Sequence, residues 1–259
     1  MKKLFYSLLI ISVFLSASYS DAAITTAHLT NGGSSSTAAS AITSSTTPTA
    51  DSLVLVSVGT TAASFTAPTI TGNGMTWVVV ATSTNGGYNM SVLRGLSASP
   101  SAGAMTIDFA GNDQTRIGWT VEEFASVNTG GSNGSAAVVQ SNTTSSSMGD
   151  TNLTPAIALS TFGTSTNAAF GAIVGATNVA TLIAPGAGMT ELTDFEIRPA
   201  SGINLQDEWK STSTTSVAWT FTGGTSMDGA AAVALEIAGT PTSTVSVTTR
   251  KRIITFFDD

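Results

Sequence analysis

Apolar residues in this chain occur in short runs and alternations, each closed by a cluster of Gly, Asn, Ser or Thr. Ala22 to Thr30 reads as a first strand ended by Asn31-Gly32-Gly33, followed by a Ser/Thr/Ala stretch from Ser34 to Ala50. Leu53-Val54-Leu55-Val56-Ser57-Val58 is a continuous apolar run suited to a strand buried on both faces. Thr69-Ile70-Thr71 and Met75 to Val80 flank Gly72-Asn73-Gly74, and Asn85-Gly86-Gly87 precedes Tyr88 to Leu93. Asn and Gly accept the positive φ that tight hairpin turns need, so both spacers predict hairpins. Met105 to Phe109 and Arg116 to Phe124 complete a first set of strands. With no amphipathic helix in the pattern after the first twenty-odd residues, the chain is expected to be all-β, an antiparallel β-sandwich of jelly-roll type.

The second half echoes the first. Gly74-Met75-Thr76 returns as Gly188-Met189-Thr190, Phe109-Ala110-Gly111 as Phe221-Thr222-Gly223, Glu123-Phe124-Ala125 as Glu236-Ile237-Ala238, and Gly59-Thr60 as Gly175-Ala176. The offsets run from 112 to 116. Ordered matches at a constant spacing predict a duplicated unit of roughly 75 residues. Its copies would cover about 51–126 and 166–239, with Ser126 to Thr154 as the connection. Two small sandwiches and two halves of one jelly roll both satisfy this pattern. The second is favoured, because a sandwich of that size without disulfides has a thin core.

The N-terminus bounds the location. Met1-Lys2-Lys3 is basic, Leu4 to Leu15 is apolar except for Ser7 and Ser12, and small residues follow in Ser16-Ala17-Ser18-Tyr19-Ser20. These are the three parts of a secretory signal peptide, here 1–22, and the apolar run is too short to span a bilayer. The chain is therefore expected to be secreted or held at the cell surface, with residues 23–239 forming the sandwich and 240–259 a tail. That tail gathers Arg250-Lys251-Arg252 ahead of Ile253-Ile254-Thr255-Phe256-Phe257. A terminal edge strand and a docking peptide for an acidic partner both fit it.

Composition excludes several kinds of chemistry. There is no Cys and a single His, so thiolate catalysis, disulfides and a zinc site of Cys and His ligands are ruled out. Nine Lys and Arg against 16 Asp and Glu argue against a nucleic-acid partner. Ser and Thr number 35 and 43, together 78 of 259, and take the exposed positions that charged residues usually fill. Thr suits exposed strand faces.

The phrases "ADSLVLVSVG", "GNGMTWVVVATS", "YNMSVLRGL", "MTIDFAG" and "GWTVEEFASV" resemble a class of β-sandwich modules found in exported bacterial proteins and phage structural proteins. So do "APGAGMTEL", "DEWKSTS", "VAWTFTGG" and "AAAVALEIAG" in the second half. The architecture of such modules is similar to the concanavalin-like lectin/glucanase jelly roll. The resemblance covers about 24–239. It implies a fold in which some members bind or cleave glycans and others only build surfaces, and it brings no diagnostic catalytic motif.

Candidate chemistry is sparse. Glu191-Leu192-Thr193-Asp194-Phe195-Glu196 is the strongest enzyme pattern, since glucanases of this architecture carry acids at alternate positions of one strand. On a regular strand Asp194 and Glu196 share a face and Glu191 points away, unless a bulge restores it. The favoured reading of this segment is a solvent-facing acidic strand. Glu122 and Glu123 are adjacent and must point to opposite faces; Glu123 recurs as Glu236, which marks a structural position. Gly130-Gly131-Ser132-Asn133-Gly134 matches a nucleophile-elbow pattern, but the only His, His28, lies upstream and no helix follows, so the segment is expected to be a loop. His28 itself is expected on a strand surface. Calcium needs only oxygen ligands, and Asp113 and Asp150 lie in the loop clusters that best suit it. Trp77, Trp119, Trp209 and Trp219 are assigned to the core, leaving Tyr88 as the aromatic candidate for ligand stacking.

The expected function is that of an exported, non-enzymatic surface protein that acts by binding a glycan or another surface protein, or by structural assembly, including assembly with its own copies. The alternatives are a phage virion structural or adhesion component and a glycan-cleaving jelly-roll enzyme with Glu191, Asp194 and Glu196 as its acids.

Overall fold

The computed structural model describes residues 22–62, 64–85, 87–177, 182–197 and 202–241; the expected signal peptide and the basic tail lie outside the described residues. The first half holds β1 (Thr25–Ser34), β2 (Ser40–Ile42), β3 (Leu53–Thr61), β4 (Thr69–Thr71), β5 (Val78–Thr84), β6 (Tyr88–Gly95), β7 (Thr106–Asp108) and β8 (Arg116–Ala125). The second holds β9 (Val138–Ser146), β10 (Ala156–Ala158), β11 (Ala168–Thr177), β12 (Ile183–Pro185), β13 (Thr190–Ile197), β14 (Ile203–Lys210), β15 (Ser216–Phe221) and β16 (Met227–Ile237). Among the described residues no helix is long and apolar enough to cross a membrane.

Among the described residues all ladders are antiparallel, and the sheets stay open rather than closing into a barrel. The first half forms a five-stranded sheet, β1-β8-β3-β6-β5, and a three-stranded sheet, β2-β7-β4. The second forms β9-β16-β11-β14-β13 and β10-β15-β12. Adding eight to each strand number of the first half generates the order of the second. In each half the chain crosses repeatedly between its two sheets, the Greek-key winding of a jelly roll.

The chain is thus an all-β antiparallel sandwich, as expected, but its division differs from the sequence reading. Each half is a complete eight-stranded sandwich, 101 residues from Thr25 to Ala125 and 100 from Val138 to Ile237. The Ser/Thr/Ala stretch 34–50 contains β2, and the supposed connection Ser126 to Thr154 contains β9. Both strands are rich in small or hydroxyl side chains, and neither carries a strong apolar alternation.

Three cores explain why two units of this size hold together. Ala41, Ile70, Ile107 and Phe109 pack against Val54, Val56, Val58 and Val121 inside the first half. Ile157, Ile183, Val217, Trp219 and Phe221 pack against Ala169, Ile173 and Ala232 inside the second. Between them the two five-stranded sheets meet face to face, joining Leu53, Leu55, Met90 and Phe124 to Phe170, Val174, Leu205 and Leu235. The result is four layers of three, five, five and three strands. Strands β3, β11 and β16 therefore bury both faces, which is why they read as unbroken apolar or small-residue runs. The shared central core removes the objection that each sandwich alone would be too thin.

The strand β1 also departs from expectation, since it continues through Asn31-Gly32-Gly33 to Ser34. The glycines serve close packing rather than a turn. A Cβ on Gly32 would stand 2.5 Å from the Trp119 ring, and one on Gly33 2.6 Å from the Cδ1 of Ile197 in the other half. Register aligns Gly33, Gly118 and Gly59 across β1, β8 and β3, so they form one bare row on the central face.

The spacer Gly72-Asn73-Gly74 makes no hairpin, because β4 and β5 on either side of it belong to different sheets and pair with β7 and β6. The β5–β6 turn is as predicted and ties the halves together. Asn85 Oδ1 accepts the N–H groups of Gly87 at 2.9 Å and Tyr88 at 2.7 Å, while its Nδ2 donates to the carbonyl of Ser146 at 2.6 Å. Asn85→Ala removes these bonds together with a longer one from Nδ2 to the Ala230 carbonyl, and is expected to destabilise the chain by about 1–3 kcal/mol. Denaturant midpoints of the two proteins check this.

Candidate functional site

The described residues concentrate their unusual polar chemistry on the two faces of the β13–β14 pair. Residue alternation sends Thr193 and Asp207 into the space between the five-stranded sheets, and Gln206 and Glu208 to the opposite face.

On the inner face, Glu122 of β8 and Asp207 of β14 are both fully buried. Thr193 donates to Glu122 Oε1 at 2.8 Å, and His28 Nδ1 lies 2.8 Å from both that oxygen and the Thr193 hydroxyl. Ser57 and Thr120, on β3 and β8, donate to Asp207 Oδ2. The other oxygens, Glu122 Oε2 and Asp207 Oδ1, are buried without a hydrogen-bond partner. Loss of water pushes the Glu122 carboxyl up to about 8, against the pull of the Thr193 hydroxyl. Asp207 is driven well above the usual carboxylate range, first by burial and then by the neighbouring Glu122. His28, whose side chain remains 36% exposed, is lowered by desolvation, with Asp207 opposing. The expected surface position of His28 is thus only half of its situation, because its Nδ1 reaches a sealed acid.

On the outer face, the expected divergence of Glu191 does not occur. Glu191 pairs with Glu208 and Thr193 with Asp207, so Leu192 is an extra residue in β13. This bulge returns Glu191 to the face of Asp194 and Glu196, which stand opposite Gln206 and Asn204. Nor is the group a simple solvated face. Asp194 and Glu196 are half-buried, and Gln206 Nε2 donates to Glu191 Oε2 at 3.2 Å. Burial, then the charges of Glu191 and Glu196, push Asp194 up to about 6. Glu208, fully buried beside them, is pushed to about 8 by burial and by the charges of Asp207 and Glu191, although the Gly186 N–H donates to it. The bulge has its counterpart in the first half, where Val80 is the extra residue between Val79 and Ala81.

The remaining candidates lie apart from both faces. Tyr88 is not an exposed stacking surface; it is half-buried against the central core, where a Cβ on Gly229 would stand 2.5 Å from its ring. The Asn85 turn holds it there, and burial raises its phenol. Asp113 is exposed, and Asp150 Oδ1 accepts the Asn152 N–H in a local turn. Among the described residues no three His, Asp or Glu side chains are grouped to hold a metal ion. Trp219 is fully buried and Trp119 nearly so, while Trp77 and Trp209 are partly buried at the margins of their cores. Gly130 to Gly134 form turns leading into a single 3-10 turn at Ser135–Ala137. Glu123 and Glu236 are the structural pair that their recurrence suggested: Glu123 accepts the Thr49 N–H, and Glu236 accepts from Asn167 at 2.6 Å and from Gln140.

No protein-family model matches this chain, and neither the curated proteins nor the solved structures gave a match.

Sequence reasoning missed the Glu122–Asp207 pair. A trace of it was present, since Asp207 and Glu208 interrupt a strand whose matching positions in the first half are Val92 and Leu93. Recognising that trace required knowing the register.

Proposed function

We propose that this chain is an exported, non-enzymatic surface protein, built by duplication of one jelly-roll unit, that acts by binding a glycan or another surface protein or by structural assembly. The observation that carries the reading is where its buried acids go. Glu122 and Asp207 are used between the sheets, and Glu123, Glu236 and Glu208 each receive donors from neighbouring segments. A phage structural component of the same fold would draw on the same support. The duplication is supported by the matching strand orders, the paired bulges at Val80 and Leu192, and the equivalent Glu123 and Glu236.

One observation favours a second reading, glycan cleavage: the bulge at Leu192 gathers Glu191, Asp194 and Glu196 on one face. Against it, the aromatic side chains of this region turn elsewhere. Phe195 and Trp209 pack on the central core and Trp219 is fully buried, so none offers a ring on which a sugar could stack beside the acids.

A glycan array probed with residues 23–259, followed by a reducing-sugar assay on the bound glycans and on β-glucans, separates the readings. Binding without sugar release is expected. Release that disappears in Glu196→Gln would overturn the non-enzymatic reading.

A further inference from the structure

The Glu122–Asp207 pair sits where the fold itself has no need of charge. Matching the halves through Glu123 and Glu236 places Leu235 at the position of Glu122, Ser141 at that of His28, Val92 at that of Asp207 and Ala81 at that of Thr193. The same central interface is therefore closed by aliphatic packing on one side and by an acid pair on the other. Enclosing two carboxyl groups costs stability unless they are neutralised and satisfied, and an aliphatic pair of similar size usually does as well or better. Here each acid has one oxygen supplied with hydroxyl or imidazole donors and one, Glu122 Oε2 or Asp207 Oδ1, with no partner. The unserved oxygens are the natural seats for protons.

We propose that Glu122, Asp207 and His28 form a proton-operated latch between the two jelly rolls, closed while the acid pair holds protons and loosened when both carboxyls are charged. Four of the strands packed around the pair contribute a named group, His28 from β1, Ser57 from β3, Thr120 from β8 and Thr193 from β13, while β11 sets only Ala172 beside Asp207. Of these, His28 is the one that can become cationic, and its partly exposed ring gives the proton a path to water. Glu208 and Glu191 lie on the opposite face of the β13–β14 pair and add only negative field. Two anions in this enclosure would repel across the sheet interface, with one imidazole, His28, to offset them among the described residues.

The sign of the linkage follows from the raised proton affinity of the folded acids. Unfolded, both ionise near pH 4. From there to about pH 8 for Glu122, the folded chain binds more protons than the unfolded one. The latch contribution is full below the unfolded value and is lost as pH rises through the folded one. His28 acts in the opposite sense: its folded affinity is lowered, so it adds stability as pH rises toward about 6.5.

The test compares unfolding of residues 23–259 at pH 5 and pH 9 with that of Glu122→Gln/Asp207→Asn, which fixes both groups in a neutral form. The wild-type unfolding constant is expected to rise with pH by about tenfold or more beyond that of the variant, because the extra proton affinity that folding gives the acids is lost across this interval. Identical pH dependence in the two proteins would overturn the proposal. Glu122→Leu/Asp207→Val, which copies the residues of the matching half, should also lose the dependence. Should neither variant fold, amide exchange of the wild type decides. Corrected for intrinsic rates, protection in β8 and β14 should fall between pH 6 and pH 9 relative to β7 and β15. A parallel change in all four strands would reject the latch. The outcome does not depend on what the protein binds, so it stands or falls separately from the proposed function.

Discussion

Phe124→Ala is expected to destabilise the protein by about 3–5 kcal/mol, a large part of the 5–15 kcal/mol typical of a folded domain. Phe124 lies at the centre of the shared core and is fully buried. Its ring meets that of Phe170 edge-on at 5.7 Å and that of Trp209 at 6.2 Å, so truncation removes contacts to two strands of the other half. The surrounding sheets are held by their ladders and cannot close on the void, which places the cost at the upper end of the range. Urea unfolding followed by tryptophan fluorescence measures it. A loss below about 1 kcal/mol would mean that the halves do not rely on the central core.

Gly59→Ala is expected to cost about 2–3 kcal/mol through overpacking, and more than Gly118→Ala. A Cβ on Gly59 would stand 2.8 Å from Val174 Cβ and Cγ2 and 2.8 Å from Leu205 Cδ1. Val174 is β-branched and fixed at the centre of β11, so it has little room to turn. At Gly118 the nearest atom is Ile197 Cδ1 at 2.7 Å, the far end of a side chain that can change rotamer. Comparing the denaturant midpoints of the two variants tests the order. Equal losses would show that the bare glycine row is not what sets the spacing of the sheets.

The difference between these two glycines illustrates what could be read in advance. Asn85-Gly86-Gly87 was legible as a turn because its conformational demand is local. Gly32-Gly33 has the same appearance and a different cause, namely Trp119 beside it and Ile197 from the other half. Likewise Leu53 to Val58 announced a strand buried on both faces, but not that its even and odd positions serve two different cores. The acidic strand shows the same limit. Period-2 geometry put Asp194 and Glu196 together, and only the extra residue at Leu192 brought Glu191 to them.

By itself, the amino-acid sequence determined the all-β class, the hairpin at Asn85-Gly86-Gly87, the echo between the halves and the absence of thiol and Cys/His zinc chemistry. These follow from backbone preference, side-chain period and the residue inventory, which are properties of neighbours along the chain. The tertiary structure decided that each half is a whole jelly roll, that the two share a third core, and that Glu122, Asp207 and His28 meet. Those facts depend on contacts such as that between Thr193 and Glu122, 71 positions apart, and between Ser57 and Asp207, 150 apart. No local preference encodes such a meeting. It is fixed by the registers of the paired strands and by the way one sheet stacks on another.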